Sequence, residues 1–198
     1  MEKKKLSIVN LAGPLGIGVS TQSDLLVRHF KDSGREVFHL KASQNSPVEI
    51  ILGRLGPAKE FLDKNPNGLV INDDFFATSI IGDNQSGLHH DLLTEKYKDV
   101  FFEVQTLDHK FGLSNIFISI DDLDVCESRY NKKCALFKVP PSYDELYESK
   151  FAQSLMNFNG SIYAQNLYFH DIETSEFETI LMVHCKILAY LKKNFILI

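Results

Sequence analysis

Gly13-Pro14-Leu15-Gly16-Ile17-Gly18-Val19-Ser20-Thr21 is the stretch that decides how the chain reads. An apolar run from Leu6 to Ala12 precedes it, and a helical pattern begins near Ser20. Strand, glycine-rich turn, helix is the setting in which backbone N–H groups gather around an anion, because first-turn donors have no partner inside their own helix. The spacing meets G-x-x-x-x-G-K-[ST] at Gly13, Gly18 and Ser20, and departs from it at the lysine position, which is Val19. Gly16 and Gly18 let the backbone close on a phosphate, and the Ser20 hydroxyl stands where a Mg2+ ligand belongs. The alternative is a glycine turn that keeps its shape and holds nothing. Lys41, Lys132, Lys133 and Lys138 are the lysines available to supply the missing charge.

Outward from the turn, the helix over 20–33 stops at Gly34, and a second strand covers 36–40. Two strands joined by one helix make a right-handed βαβ unit. A polar loop over 41–47 follows, at the edge where open α/β sheets bind ligands. Helical pieces over 48–55 and 58–63 are separated by Gly56-Pro57, and a third buried strand over 69–71 ends in Asn72-Asp73-Asp74. Next come a helix over 75–81, a loop over 82–87, and a helix over 88–110 with Leu92, Leu93, Val100, Val104 and Leu107 inward. A strand over 115–120, an acid-led helix over 121–131 and an irregular lysine-bearing connection over 132–142 follow. A helix over 143–158, a strand over 162–169 and a helix over 175–193 complete the pattern. This alternation predicts one α/β domain over 1–198, a five-stranded parallel sheet between two helical layers, of the P-loop NTPase type.

Composition narrows the function classes. A net charge of −5 with only four arginines (Arg28, Arg35, Arg54, Arg129) argues against a nucleic-acid partner. Cys126, Cys134 and Cys185 show no paired spacing, which suits a reducing compartment, and Cys126 and Cys185 are expected in the core. The start, Met-Glu-Lys-Lys-Lys-Leu, is not a signal h-region, and no apolar run reaches membrane-spanning length. A cytoplasmic protein without a membrane partner is expected. His89-His90 and the other five histidines show no motif spacing.

These residues resemble the thymidylate kinase family of P-loop nucleoside monophosphate kinases. Gly13 to Gln22 stand against the family's Gly-Leu-Asp-Gly-Ala-Gly-Lys-Ser/Thr-Thr-Gln, and Thr21-Gln22 is the more specific part. Arg-Glu-Pro-Gly-Gly-Thr corresponds to 41–46, where Lys41 keeps the basic character. Asp-Arg-Tyr/Phe-x-x-Ser matches Asp73-Asp74-Phe75-Phe76-Ala77-Thr78, and 116–129 resembles the segment before the family's lid.

The resemblance implies ATP or ADP with Mg2+ at Gly13, Gly16, Gly18, Val19, Ser20 and Thr21, with Ser20 and Asp73 at the metal. It places Lys41, Arg54, Asp73 and Phe75 at the acceptor nucleotide, and Asp73 and Arg129 in catalysis. Arg129 would stand at the entrance to a lid-like insertion over 132–142, and the chain would form a homodimer. Read without the resemblance, Asp73 and Asp74 cap a following helix, Phe75 is core and Arg54 is a solvated helix arginine. Three positions depart from the family pattern: Val19 for lysine, Asp74 for arginine and Ala42 for glutamate. The loop lysine follows charge on the transferred phosphate, so its loss weakens catalysis more than binding. The expected function is a degenerate, pseudokinase-like member that binds nucleotide or phosphate with weak or no transfer. The alternative is an active kinase moving phosphate from ATP to a deoxynucleotide such as dTMP.

Overall fold

The apolar run after Lys5 forms β1 (Lys4–Ala12), buried from Leu6 onward. In a computed structural model, which describes residues 3–14, 16–41, 48–73, 90–120, 122–137 and 170–197, β1 is the middle strand of a parallel sheet. It pairs with β3 (Leu69–Asp73) on one side and β4 (Gly112–Ile120) on the other. Beyond them lie β2 (Val37–Lys41) and β5 (His170–Thr174), giving the order β2-β3-β1-β4-β5. A short β6 (Phe195–Ile196), which sequence reading missed, runs parallel to β1 at Lys4 and Lys5.

Parallel neighbours need crossovers, and helices supply them: α1 (Val19–Asp32), α2 (Val48–Lys64), α3 (His90–Lys110), α4 (Leu123–Phe137) and α5 (Ile180–Asn194). Leu26 and Phe30 of α1 and Val183, Ile187 and Leu191 of α5 bury against Val9, Leu11, Ile71 and Ile116. On the other face, Leu55 and Leu62 of α2 and Val100 and Val104 of α3 meet Ile8, Val70 and Phe117. The three-layer expectation holds. Strand alternation then sorts the polar residues: His39, Lys41 and Asp73 share the α1 face with Val37 and Ile71. Asn10, Asn72 and Asn115 share the opposite face. They form a buried ladder across three strands, Asn72 Nδ2 donating to Asn10 Oδ1 and Asn10 Nδ2 to Asn115 Oδ1 at 2.7 Å.

Several local expectations change. The segment over 48–64 is one helix with Pro57 inside it, not two pieces. Leu55, Ala58 and Leu62 anchor both sides of the break in the core, so packing overrides the lost backbone hydrogen bond. Helix α4 runs through Lys132 and Lys133 to Phe137, past the expected end at residue 131. Cys126 is buried as expected, but Cys185 is exposed, on the solvent side of α5 away from Val183 and Ile187. The helices read over 75–81 and 143–158 and the strand over 162–169 lie outside the described residues, as do Leu92 and Leu93 as side chains.

The amino-terminal edge of the sheet is tied by a buried arginine. Arg35 Nε donates to Asn67 O at 2.8 Å, and Nη2 donates to Leu6 O and to Gly68 O at 3.1 Å, joining the entries to β1, β2 and β3. Burial lowers its pKa to about 10. Arg35→Ala removes these donors from buried carbonyls and is expected to lower unfolding free energy by about 2–4 kcal/mol, read by urea denaturation.

His184 of α5 faces His29 of α1, ring centroids 6.0 Å apart, and burial, then the His29 charge, pushes its pKa below 6.5. A depressed folded pKa favours the neutral form. Its stabilisation is therefore complete above the unfolded value and lost as pH falls through the folded one. Tm should decline between about pH 7 and pH 5, more steeply in the wild type than in His184→Leu.

Candidate functional site

Chain continuity makes the site. β1 ends at Ala12 and α1 begins at Val19, so the loop between them sits at the carboxyl edge of the central strand. Each glycine there answers a separate constraint. A Cβ on Gly13 would lie 2.7 Å from the Ile118 carbonyl oxygen of β4. Gly16 has φ 85° and lies against the Cys126 carbonyl of α4, where a Cβ would collide. Gly18 has φ 100° and is the N-cap of α1. Its carbonyl accepts the Gln22 N–H at 2.9 Å, so the amides of Val19, Ser20 and Thr21 precede the first helical bond. No side chain caps this helix, and its first turn carries no acid. Three outward donors and the positive end of the helix dipole suit an anion.

Val19 does not stand in for a cation. Its side chain belongs to the apolar cluster with Leu11, Ile116 and Ile118. Ser20 and Thr21 are exposed at the same helix end.

The Ser20 hydroxyl acts on the Asp73 carboxylate from the start of α1, which relates the two residues expected at the metal. Asp73 is 7% exposed. Burial raises its pKa, with a smaller push from Asp24, while the Ser20 hydroxyl and the His39 and Lys41 charges pull it down. A buried carboxylate beside a hydroxyl is a partial coordination sphere. Mg2+ takes one or two protein ligands and fills the rest with phosphate oxygens and water, so the pair fits it. Among the described residues no cluster of three or more His, Cys, Asp or Glu side chains offers a fuller cage.

A second polar group, missed in the sequence, flanks the first. Lys41 Nζ lies 3.1 Å from Asp24 Oδ1 of α1. His39 Nε2 is 3.2 Å from Ser23 Oγ, and His39 Nδ1 is 3.7 Å from Asp24 Oδ1. The Ser23 hydroxyl proton goes to the Ser20 carbonyl at 2.9 Å, so Ser23 accepts from His39 Nε2–H and neutral His39 carries its proton there. Burial lowers the His39 pKa against the opposing pull of Asp24. The available signal was strand parity: Val37, His39 and Lys41 run beside Leu69, Ile71 and Asp73 in register.

The remaining expected residues are less concentrated. Arg129 lies half-buried on α4, three residues beyond the Cys126 that touches Gly16. Arg54 is half-buried on α2 with interactions of its own. Phe75 and Asp74 fall outside the described residues.

This loop, sheet order and helical flanking define a P-loop kinase-like α/β fold. No protein-family model matches the chain, and no curated protein sequence does. Solved structures do. A thymidylate kinase from Candida albicans aligns at TM-score 0.54 with 11% identity, covering 98% of this chain and 94% of that one. A deoxyadenosine kinase from M. mycoides with bound dCTP aligns at TM-score 0.53 with 17% identity, covering 94% and 99%. The chain shares its fold with these two kinases. No described helix is long and apolar enough to cross a membrane.

Gly16→Ala tests the loop's contact with α4. A left-handed φ and a collision with the Cys126 carbonyl together should cost about 2–5 kcal/mol of stability, seen as a fall in Tm. An unchanged Tm would mean the loop moves freely off α4.

Proposed function

We propose that the chain binds the phosphates of a nucleotide with Mg2+ at the 13–21 loop and transfers phosphate weakly or not at all. The observation that carries this is the uncapped, acid-free start of α1 behind the glycine-rich loop, with the buried Asp73 carboxylate at the end of β3 beside it. In this reading the amides of Val19, Ser20 and Thr21 hold phosphate oxygens, and Ser20 and Asp73 share the metal. Mg2+ supplies charge neutralisation when bound. Arg54 and Phe75 bind the acceptor side, and Arg129 closes over the phosphates from α4. Val19 removes the charge that would follow the transferred group, which favours binding over turnover. A cytoplasmic homodimer is the setting that goes with this reading.

Thermal shift with ADP–Mg2+ tests the binding: a ligand at 100 times its Kd adds about 2.7 kcal/mol. Asp73→Asn should remove the Mg2+-dependent part of that shift. No shift at millimolar nucleotide would overturn the reading. A coupled ADP-release assay with ATP–Mg2+ and a panel of deoxynucleosides and their monophosphates tests the other half. Turnover of about 1 s⁻¹ or above, the ordinary kinase range, would make the chain an active kinase instead.

A further inference from the structure

Resting on that reading of the loop, we propose that Lys41 is the cation that contacts the bound phosphates in place of a loop lysine, with Asp24 as the carboxylate that pairs with it until phosphate displaces it. The placement follows from two elements. Lys41 ends β2 with its Cα in register with Asp73, and alternation turns it to the α1 face. Asp24 lies four residues after Ser20 on α1, and helix positions four apart are neighbours on one face, about 5–6 Å between Cβ atoms. With Nζ 3.1 Å from Asp24 Oδ1, the ammonium is held about one helical turn from Ser20 at the start of α1.

The arrangement is a charge held ready. Lys41 is exposed and Asp24 half-buried, and their ion pair is of the surface kind, which contributes little to stability. Phosphate oxygens arriving at the start of α1 compete with Asp24 for the same ammonium and lose little by displacing it. The flexible four-carbon stem of a lysine allows that move without backbone change. Among the described residues, Lys41 is the lysine whose charge acts on Asp73. Asp24 meanwhile keeps Lys41 from the alternative of extending into solvent, and His39, 3.7 Å from the same carboxylate oxygen, borders the pair on β2.

Calorimetric titration of the full chain with inorganic tripolyphosphate plus Mg2+ is the test, with ADP–Mg2+ binding by the wild type as the control. Lys41→Met and Lys41→Gln should each weaken tripolyphosphate about tenfold, and Lys41→Arg should restore most of it; tenfold is the 1.36 kcal/mol of one charge contact. Asp24→Asn should tighten tripolyphosphate about threefold by removing the competitor. In the double variant Asp24→Asn, Lys41→Met that gain should vanish. None of these changes should move Tm by more than a degree or so, since both side chains are at the surface. Wild-type binding of ADP–Mg2+ with Lys41→Met as tight as wild type for tripolyphosphate would overturn this inference alone. An Asp24→Asn gain that persists in the double variant would overturn the role of Asp24. Absence of any wild-type binding would overturn this inference together with the function it rests on.

Discussion

A strand buried on both faces and paired along both edges has one outlet for ligand chemistry, its carboxyl end. β1 is such a strand, and the rest of the site follows from its position. Because every pairing is parallel, β2, β3 and β4 deliver their last residues to the same edge of the sheet. Leu11 is opposite Asp73 on one side and Ile116 on the other, so the loop leaving Ala12 meets the end of β3 without any special device. The glycines then solve the remaining geometric problem. The chain must turn from a central strand into α1 while passing against Ile118 and Cys126, and a side chain at Gly13 or Gly16 would occupy space already taken by backbone oxygens.

The site's electrostatics are uneven for the same reason. Asp73 is buried because it continues the inward row Leu69, Ile71, and burial alone makes it a reluctant anion. Its compensation comes from one hydroxyl and from charges at the rim of β2. A loop lysine would have balanced the site from the α1 side, but position 19 faces the apolar cluster and valine suits it. Positive charge has therefore to enter from the neighbouring strand or from a metal. This separates two properties that most phosphate loops combine. The helix-end amides depend on backbone and remain uncapped at the start of α1, while a mobile charge depends on a side chain that position 19 does not supply.

What could be read in the sequence tracks what is local. The βαβ start and the parallel sheet were legible, since each depends on periodicity or on a motif with fixed spacing. Asp24, Ser23 and His39 were not, because α1 read as an ordinary amphipathic helix, and its polar side acquires meaning only when β2 lies beside it. Pro57 misled for a related reason. Local rules place a break there, and the buried Leu55 and Leu62 on either side outweigh them. Cys185 was misassigned because a helix carrying apolar residues on several sides leaves its inner face ambiguous until the sheet is in place.

The buried asparagines show how a feature remote from the ligand edge bears on it. An amide in an apolar layer is costly unless it is hydrogen-bonded. Asn72 Nδ2, both amide atoms of Asn10 and Asn115 Oδ1 meet that condition only when the three strands hold their observed alignment, and Asn72 Oδ1 stays unpaired. Sliding β3 by one residue against β1 would turn Asn72 into the layer of Val9 and Leu11 and rotate Asp73 away from α1, because side chains alternate with period two. Apolar residues along the strands would resist such a slip through lost burial, but valine, leucine and isoleucine line both faces and penalise it weakly. The ladder penalises it sharply, through amide groups left without partners. The placement of Asp73 on the α1 face thus depends on a register that three asparagines favour from the opposite face of the sheet.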